Sequence, residues 1–198
     1  MPRIILLILA LALFMEQTDS TVIATALPAI AADLGTNPIA LKLALTAYLV
    51  ALAIFIPVSG WMSDRYGAKR VFLVAMAFFT LSSVACSQAD SLGYFVVARF
   101  LQGMGGAMMT PVARLVVVRM TPRHELVSAM AWLTIPALVG PLIGPPLGGF
   151  ITTYASWEWI FLLNVPIGII GGLAAFPYLP GIQGEGRQPM DWIGFFLV

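Results

Sequence analysis

Charged side chains are scarce in this chain of 198 residues, since Asp, Glu, Lys and Arg together make up 10% of it. A water-soluble domain carries roughly 25%, so this sequence has too little polar surface to face water on all sides. Hydrophobic residues make up 60% of the chain, and the net charge is +1. We therefore expect lipid to be its main solvent, and the charge gives no reason to expect a nucleic-acid partner.

Cysteine and histidine are nearly absent, with one residue of each. Cys86 alone excludes an intramolecular disulfide and is too few for a cysteine metal site. A metal role for His124 would need partner ligands that the sequence does not show, and we interpret it as a solvated loop residue. We expect neither a metal nor another cofactor.

Long apolar runs fill the rest of the chain. A membrane-spanning helix needs about 20 mostly apolar residues, and six segments qualify: 4–32, 43–62, 71–87, 92–118, 127–152 and 159–179. Because no small-residue cleavage site follows the first apolar residues, we interpret the start as a spanning helix and not as a signal peptide.

The end of the chain has a different composition. Residues 180–191 are rich in glycine, proline and polar side chains and predict a cytoplasmic linker. A further apolar segment occupies 192–198, which is too short to span a bilayer. The sequence therefore predicts an all-α polytopic membrane protein. A six-helix bundle over 1–179 and a linker precede the start of a truncated seventh helix.

Basic residues fall mainly on one side of this bundle. With the N-terminus in the cytoplasm, the outer connections hold one basic residue, Lys42. Seven lie inside: Arg3, Arg65, Lys69, Arg70, Arg119, Arg123 and Arg187. The positive-inside rule then predicts a cytoplasmic N-terminus.

A short charged segment joins the second and third apolar runs. Glycines at its ends would allow a tight turn, Asp64 is suited to capping or to an ion pair, and the basic residues favour the cytoplasm. The residues with a predicted role are Gly60, Asp64, Arg65, Gly67, Lys69 and Arg70.

Six successive polar residues, 16–21, interrupt the first span. Intramembrane carboxylates are costly and normally face a cavity or a partner. Glu16 and Asp19 are three residues apart and share a helix face. Apolar burial disfavours the charged form of a carboxyl group, so both are candidates for proton exchange. The alternative is a solvated end of a shorter helix.

The fourth span contains Arg99, about seven residues into an apolar helix, and Gln102 on nearly the same face. An intramembrane arginine needs a carboxylate or carbonyl partner, although Arg99 could instead extend to the outer surface. Arg114, nearer the inner end, is a second charge that we expect to be buried and to pair with Asp64 or Glu125.

The fifth span is rich in glycine and proline. Glycines that recur every four residues form a smooth face for close helix packing, and the prolines are expected to kink or loosen the helix. The residues concerned are Gly140, Pro141, Gly144, Pro145, Gly148 and Gly149.

These motifs resemble those of the major facilitator superfamily. Segment 60–70 is similar to its loop between the second and third helices, and 19–28 to the first-helix motif of drug:proton antiporters. Residues 99–105 resemble its R-x-x-Q-G-x-G motif, and 140–149 its antiporter motif. Residues 157–168 and 190–194 resemble segments of the fourteen-helix EmrB/QacA-type exporters, which usually carry a basic residue where this chain has Glu158.

The resemblance implies a secondary transporter that exports amphipathic drugs or related small molecules by proton antiport with alternating access. Glu16, Asp19, Arg99 and Gln102 would serve proton coupling and line the substrate cavity, and segment 60–70 would gate the movement. The implied setting is the inner (plasma) membrane. The implied partners are lipid, protons, a small-molecule substrate and a C-terminal half that these residues lack.

Two alternatives stay open: an incomplete half-transporter without activity alone, or an exporter of a metabolite instead of drugs. An intramembrane serine protease is disfavoured, since it needs a nucleophilic serine and a histidine in another span. The chain offers only Ser59 before Gly60, and His124 in a loop. We do not expect an enzyme.

Overall fold

A computed structural model describes residues 2–181 of the chain. Over this range the chain forms seven α-helices and a 3-10 helix at Arg123–Glu125. The α-helices are α1 (Arg3–Asp33), α2 (Lys42–Tyr66), α3 (Ala68–Ser87), α4 (Leu92–Met120), α5 (Leu126–Tyr154), α6 (Trp159–Leu162) and α7 (Asn164–Tyr178). The predicted all-α class is confirmed. The predicted linker, apart from residues 180 and 181, and the predicted start of a seventh span lie outside the described residues.

Six stretches within residues 2–181 are long and apolar enough to cross a membrane. Four are α1 to α4; the fifth is Arg123–Tyr154, which contains α5, and the sixth is Trp159–Tyr178, which contains α6 and α7. The chain is therefore a multi-pass membrane protein.

The sixth span is interrupted at Leu163, between α6 and α7. Pro166 has no backbone N–H, so the carbonyl of Leu162 loses the donor four residues ahead, and α6 ends at Leu162. Leu163 keeps helical dihedral angles, φ −60° and ψ −29°, so α7 continues the span.

Helix packing joins α1 to α5, and α2 and α3 to α4, while α7 packs on α3 and α1. Glycines permit the closest contacts. A Cβ atom on Gly103 of α4 would lie 2.6 Å from the carbonyl oxygen of Tyr48 on α2. A Cβ atom on Gly105 would lie 2.7 Å from the backbone nitrogen of Phe79 on α3. Only glycine fits at either position.

The apolar core consists of two clusters. One contains Met15, Phe79 and Met109 on the side of the N-terminus of α1. The other contains Val22, Cys86 and Phe95 towards the opposite end. Along α1, α3 and α4 the residues between the two clusters include buried polar side chains, among them Asp19, Ser83 and Arg99. A polar layer therefore lies between two apolar ones.

The connection between α2 and α3 is a single residue, Gly67. Its φ of +87° is a conformation that side chains with a Cβ rarely adopt, as the sequence predicts for this glycine. The prediction for Gly60 is wrong. It lies inside α2, and a Cβ added to it would meet no atom of the described residues within 4 Å.

Candidate functional site

Asp19 on α1 is the centre of a buried hydrogen-bonded cluster. Its Oδ2 accepts a hydrogen bond from Arg99 Nη1 at 2.7 Å, which is also an ion pair. Its Oδ1 accepts from Gln102 Nε2 at 2.9 Å and from Asn164 Nδ2 at 2.7 Å. Three donors from α4 and α7 thus surround one carboxylate.

Ser83 of α3 joins the same cluster through Gln102 and Asn164. Its Oγ accepts from Gln102 Nε2 at 2.7 Å and from Asn164 Nδ2 at 3.3 Å. The Gln102 Oε1 atom accepts from Arg99 Nη1 at 2.6 Å. The cluster therefore links α1, α3, α4 and α7 in the middle of the bundle.

Arg99 is 0% exposed, so the alternative in which its side chain extends to the surface is wrong. The face of Tyr48 lies 4.3 Å from its Cζ atom, measured to the ring centroid, and that of Phe161 lies at 5.8 Å. Its Nε and Nη2 atoms have no hydrogen-bond partner among the described residues. Aromatic faces therefore supply part of the environment of the guanidinium, as in other cation–π contacts.

Glu16 is a second buried carboxylate, 6% exposed and one turn before Asp19. Its Oε2 accepts a hydrogen bond from Thr110 Oγ1 at 2.9 Å. Within residues 2–181 no basic group lies in ion-pair distance of it. Gly106 leaves room beside it, since a Cβ there would lie 3.3 Å from Glu16 Cγ and 3.1 Å from the Tyr48 hydroxyl.

The three-residue spacings in the sequence explain this geometry. Residues three apart lie on one helix face, which places Glu16 and Asp19 together on α1, and Arg99 and Gln102 together on α4. The polar stretch of α1 is buried within a long helix, so the alternative of a solvated helix end is wrong. The structure brings all four predicted residues into one region.

The charged segment 60–70 forms no extended loop. Asp64 and Arg65 belong to the last turn of α2, and Lys69 and Arg70 to the first turn of α3. Asp64 Oδ1 accepts from Arg119 Nη2 of α4 at 3.0 Å, and both side chains are partly exposed. The segment is a helical corner that is tied to α4.

The prediction for Arg114 is wrong in two respects. Its side chain is exposed in this structure, and Asp64 pairs with Arg119 instead. Arg119 is five residues further along α4 and therefore lies nearer the corner at Gly67.

Three glycines of α5 form a seam against α1, as the spacing predicts. A Cβ on Gly140 would lie 3.0 Å from the backbone nitrogen of Thr18. One on Gly144 would overlap the hydroxyl of Thr21, and one on Gly148 would lie 2.5 Å from the carbonyl oxygen of Val22. A Cβ on Gly149 would have no atom of the described part of the chain within 4 Å. The helix passes through Pro141 and Pro145 without a break, so the prolines do not divide it.

The remaining candidate nucleophile, Ser59, is buried and donates its hydroxyl hydrogen to the carbonyl of Ile56 in its own helix, at 2.6 Å. His124 is in the 3-10 helix with its side chain 79% exposed. Its Nε2 atom lies 3.7 Å from Glu125.

Sequence reasoning missed Tyr48, Ser83 and Asn164 as members of the site. Tyr48 contacts Arg99, Asn164 donates to Asp19, and Ser83 accepts from Gln102, each from a helix remote in sequence. A signal existed for Asn164, which is a strongly polar side chain inside an apolar span. Tyr and Ser occur too widely in membrane helices to be distinguished in this way.

A sequence model of the Major Facilitator Superfamily matches residues 9–191. The chain belongs to this superfamily of transporters. The superfamily resemblance drawn from the motifs is therefore confirmed.

Relatives of known sequence extend the comparison. The chain is 45% identical over 191 residues to the "Putative multidrug resistance protein MdtD" of Yersinia enterocolitica, and equally to that of Yersinia pestis. The alignments cover 96% of this chain but 40% and 41% of those proteins. The chain thus spans about two fifths of the length of these relatives.

Solved structures give the same fold. The inward-open xylose transporter XylE from E. coli superposes with a TM-score of 0.78 at 16% identity, over 90% of this chain and 48% of that one. The proton:xylose symporter XylE bound to 6-bromo-6-deoxy-D-glucose superposes with a TM-score of 0.78 at 15% identity, over 87% of this chain and 44% of that one.

Proposed function

We propose that this chain forms the N-terminal bundle of an exporter that exchanges amphipathic, often cationic, small molecules for protons. The observation that carries the proposal is the pair of buried carboxylates, Asp19 and Glu16, between two apolar layers. Intramembrane acidic groups of this kind mark ion and proton pathways. The relatives at 45% identity are named for multidrug resistance.

The two carboxylates are suited to different tasks. Asp19 is neutralised by Arg99 and surrounded by donors, so a proton arriving there would displace one of them. Glu16 accepts a neutral hydrogen bond from Thr110 and has no ion-pair partner among the described residues, and it is therefore the better counter-charge for a cationic substrate. Protonation and substrate would then compete within one region.

Protonation of Asp19 would act as the switch. A neutral carboxyl group attracts Arg99 less strongly and adds a hydrogen-bond donor to a cluster already rich in donors. Because Asp19, Gln102 and Asn164 lie on α1, α4 and α7, their rearrangement would shift three helices together. Such a local charge change can bias the two conformations of an alternating-access transporter.

Flexible methionines near this site would suit a site for varied substrates. Met104 and Met108 on α4 are half-buried and able to contact a ligand, whereas Met109 is fully buried in the core. We assign substrate contact to the first two and packing to the third.

The proposed location is the inner (plasma) membrane with the N-terminus in the cytoplasm, supported by the positive-inside bias. The helical corner at Gly67 would then lie in the cytoplasm, where Asp64 and Arg119 hold α2 against α4. Movement of the bundle would open or close this corner.

The test is dye efflux from proteoliposomes that contain the full-length protein and an imposed pH gradient. We expect Asp19→Asn to abolish gradient-driven efflux, because an amide cannot take up the proton. The matched control is Asp90→Asn, the same change at an exposed position, which should transport normally. Undiminished efflux by Asp19→Asn would contradict the coupling role.

Substrate class is tested with the same vesicles. We expect Glu16→Gln to lose export of cationic dyes and to keep export of neutral ones. This result would support the assignment of Glu16 as the counter-charge for a cationic substrate. Transport of a metabolite with no dye transport would favour the alternative of a metabolite exporter.

A further inference from the structure

An apolar groove of about 610 Å³ lies between α3 and α7 on the outside of the bundle. Leu73, Met76 and Thr80 form one wall, and Gly168, Gly172 and Phe176 the other. The rims are exposed, with Leu81 at 69% and Leu173 at 70%. The groove takes no part in the carboxylate site.

Glycine on α7 creates the groove. At Gly168 the two helices touch, since an added Cβ would overlap Thr80. One turn later, at Gly172, an added Cβ would meet only Met76 Sδ, at 3.6 Å, which is an ordinary contact. The space beside Gly172 is therefore open and would be filled by any larger side chain.

The length of the groove matches one leaflet of a bilayer. Its α3 wall runs from Leu73 to Leu81, which is about 12 Å at 1.5 Å per residue. The hydrocarbon core is about 30 Å thick, so each leaflet contributes about 15 Å. A straight segment of one acyl chain fits this depth.

A positive charge lies at one end of the groove. Lys69 Nζ is 5.4 Å from the ring centroid of Phe176, and Lys69 is one turn before Leu73. Neither α3 nor α7 contains an acidic residue. An anionic group would therefore meet a cation there, and the two helices that form the groove present no carboxylate to it.

We propose that this groove holds one acyl chain of an anionic phospholipid, with the lipid phosphate beside Lys69. The inference rests on the proposed cytoplasmic position of the corner at Gly67 for its assignment to the inner leaflet, but not on proton antiport. Apolar lining, a depth of one leaflet and a terminal cation together fit a phospholipid, and the experiment below distinguishes it from a protein segment in the same groove.

The experiment is native mass spectrometry of the full-length protein titrated with phosphatidylglycerol or phosphatidylcholine. We expect Gly172→Leu to weaken phosphatidylglycerol binding at least tenfold by filling the groove. Gly149→Leu is the control, since it adds the same side chain in open space on α5.

Lys69→Gln should weaken phosphatidylglycerol binding about fivefold, as expected for one basic residue near anionic lipid, and leave phosphatidylcholine binding unchanged. Arg70→Gln, the neighbouring exposed cation, is its control.

Three outcomes would overturn the proposal. Equal lipid binding by Gly172→Leu and Gly149→Leu would mean that no lipid lies in the groove. Equal losses of both lipids in Gly172→Leu, with no effect of Lys69→Gln, would mean an acyl site without anionic selection. A large fall in melting temperature for Gly172→Leu, without lipid loss, would mean that a protein segment occupies the groove. Lys69→Gln keeps the test decisive if Gly172→Leu does not fold. Failure of dye efflux would leave these results unaffected.

Discussion

Asn164 is the first residue of α7 and has a 2.7 Å hydrogen bond to Asp19. It directly follows Leu163, where α6 and α7 are divided, and its amide lies beside a buried carboxylate. A hydrogen bond to a charged group contributes about 1.5–3 kcal/mol. At the scale of single residues, Asn164 therefore contributes to the stability of the cluster beside Arg99 and Gln102.

We expect Asn164→Leu, which is similar in size, to lower the free energy of unfolding by about 1.5–3 kcal/mol. Denaturant titration of the purified full-length protein would measure it. In the Asp19→Asn background the same substitution should cost less than about 1 kcal/mol, because the charged acceptor is gone. An additive double variant would show that the two residues do not interact.

How far the site could be predicted depends on the kind of residue. Glu16, Asp19, Arg99 and Gln102 are distinguishable because charge and amides are costly in a span, and their three-residue spacing shows the shared face. The partners could not be predicted, since Asn164 and Asp19 are 145 positions apart and no local pattern encodes which helices meet. The pairing of Asp64 with Arg119 and not Arg114 depends on the position of α4 in the same way.

The contact of α5 with α1 shows what small residues do at the scale of helices. Gly148 brings the backbones so close that a Cβ would lie 2.5 Å from a carbonyl oxygen of α1. A backbone atom cannot move aside as the end of a side chain can. A Cβ added to the adjacent Gly149 would meet no atom of residues 2–181 within 4 Å, so the two neighbouring glycines differ in how closely α1 packs against them.

We expect Gly148→Ala to lower the free energy of unfolding by about 1–3 kcal/mol through overpacking. Gly149→Ala, one residue away, should be neutral or raise it by up to about 1 kcal/mol, because alanine favours helix. Thermal unfolding in detergent would compare the two. Equal melting temperatures would contradict the close contact of α5 and α1.

Element boundaries followed from hydropathy to within a few residues, because a span must satisfy its backbone hydrogen bonds internally. The division of the sixth span at Leu163 could not be predicted from hydropathy. Pro166 in α7 and Pro57 in α2 look alike in sequence, yet α2 remains continuous.

At the scale of the whole molecule, two apolar clusters are joined through a polar layer at mid-depth. Apolar packing in each cluster is insensitive to protons, whereas the layer between them contains titratable groups. The proton uptake proposed above would act at the plane where the two ends of the bundle meet.

The proposed orientation is tested by labelling with a membrane-impermeant maleimide in intact cells. Asp90→Cys should react from outside, and Arg123→Cys only after permeabilisation. Cys86 is 0% exposed and should add little background. The reverse pattern would mean that the N-terminus lies outside.

The corner between α2 and α3 contains one residue, and one residue supplies two freely rotating backbone bonds. These helices therefore have almost no slack between them. A displacement of α2 is transmitted to α3 as a rotation about Gly67 or else unwinds a helical turn. The two helices therefore move as one lever, and even one residue inserted beside Gly67 would add two rotatable bonds and uncouple α2 from α3.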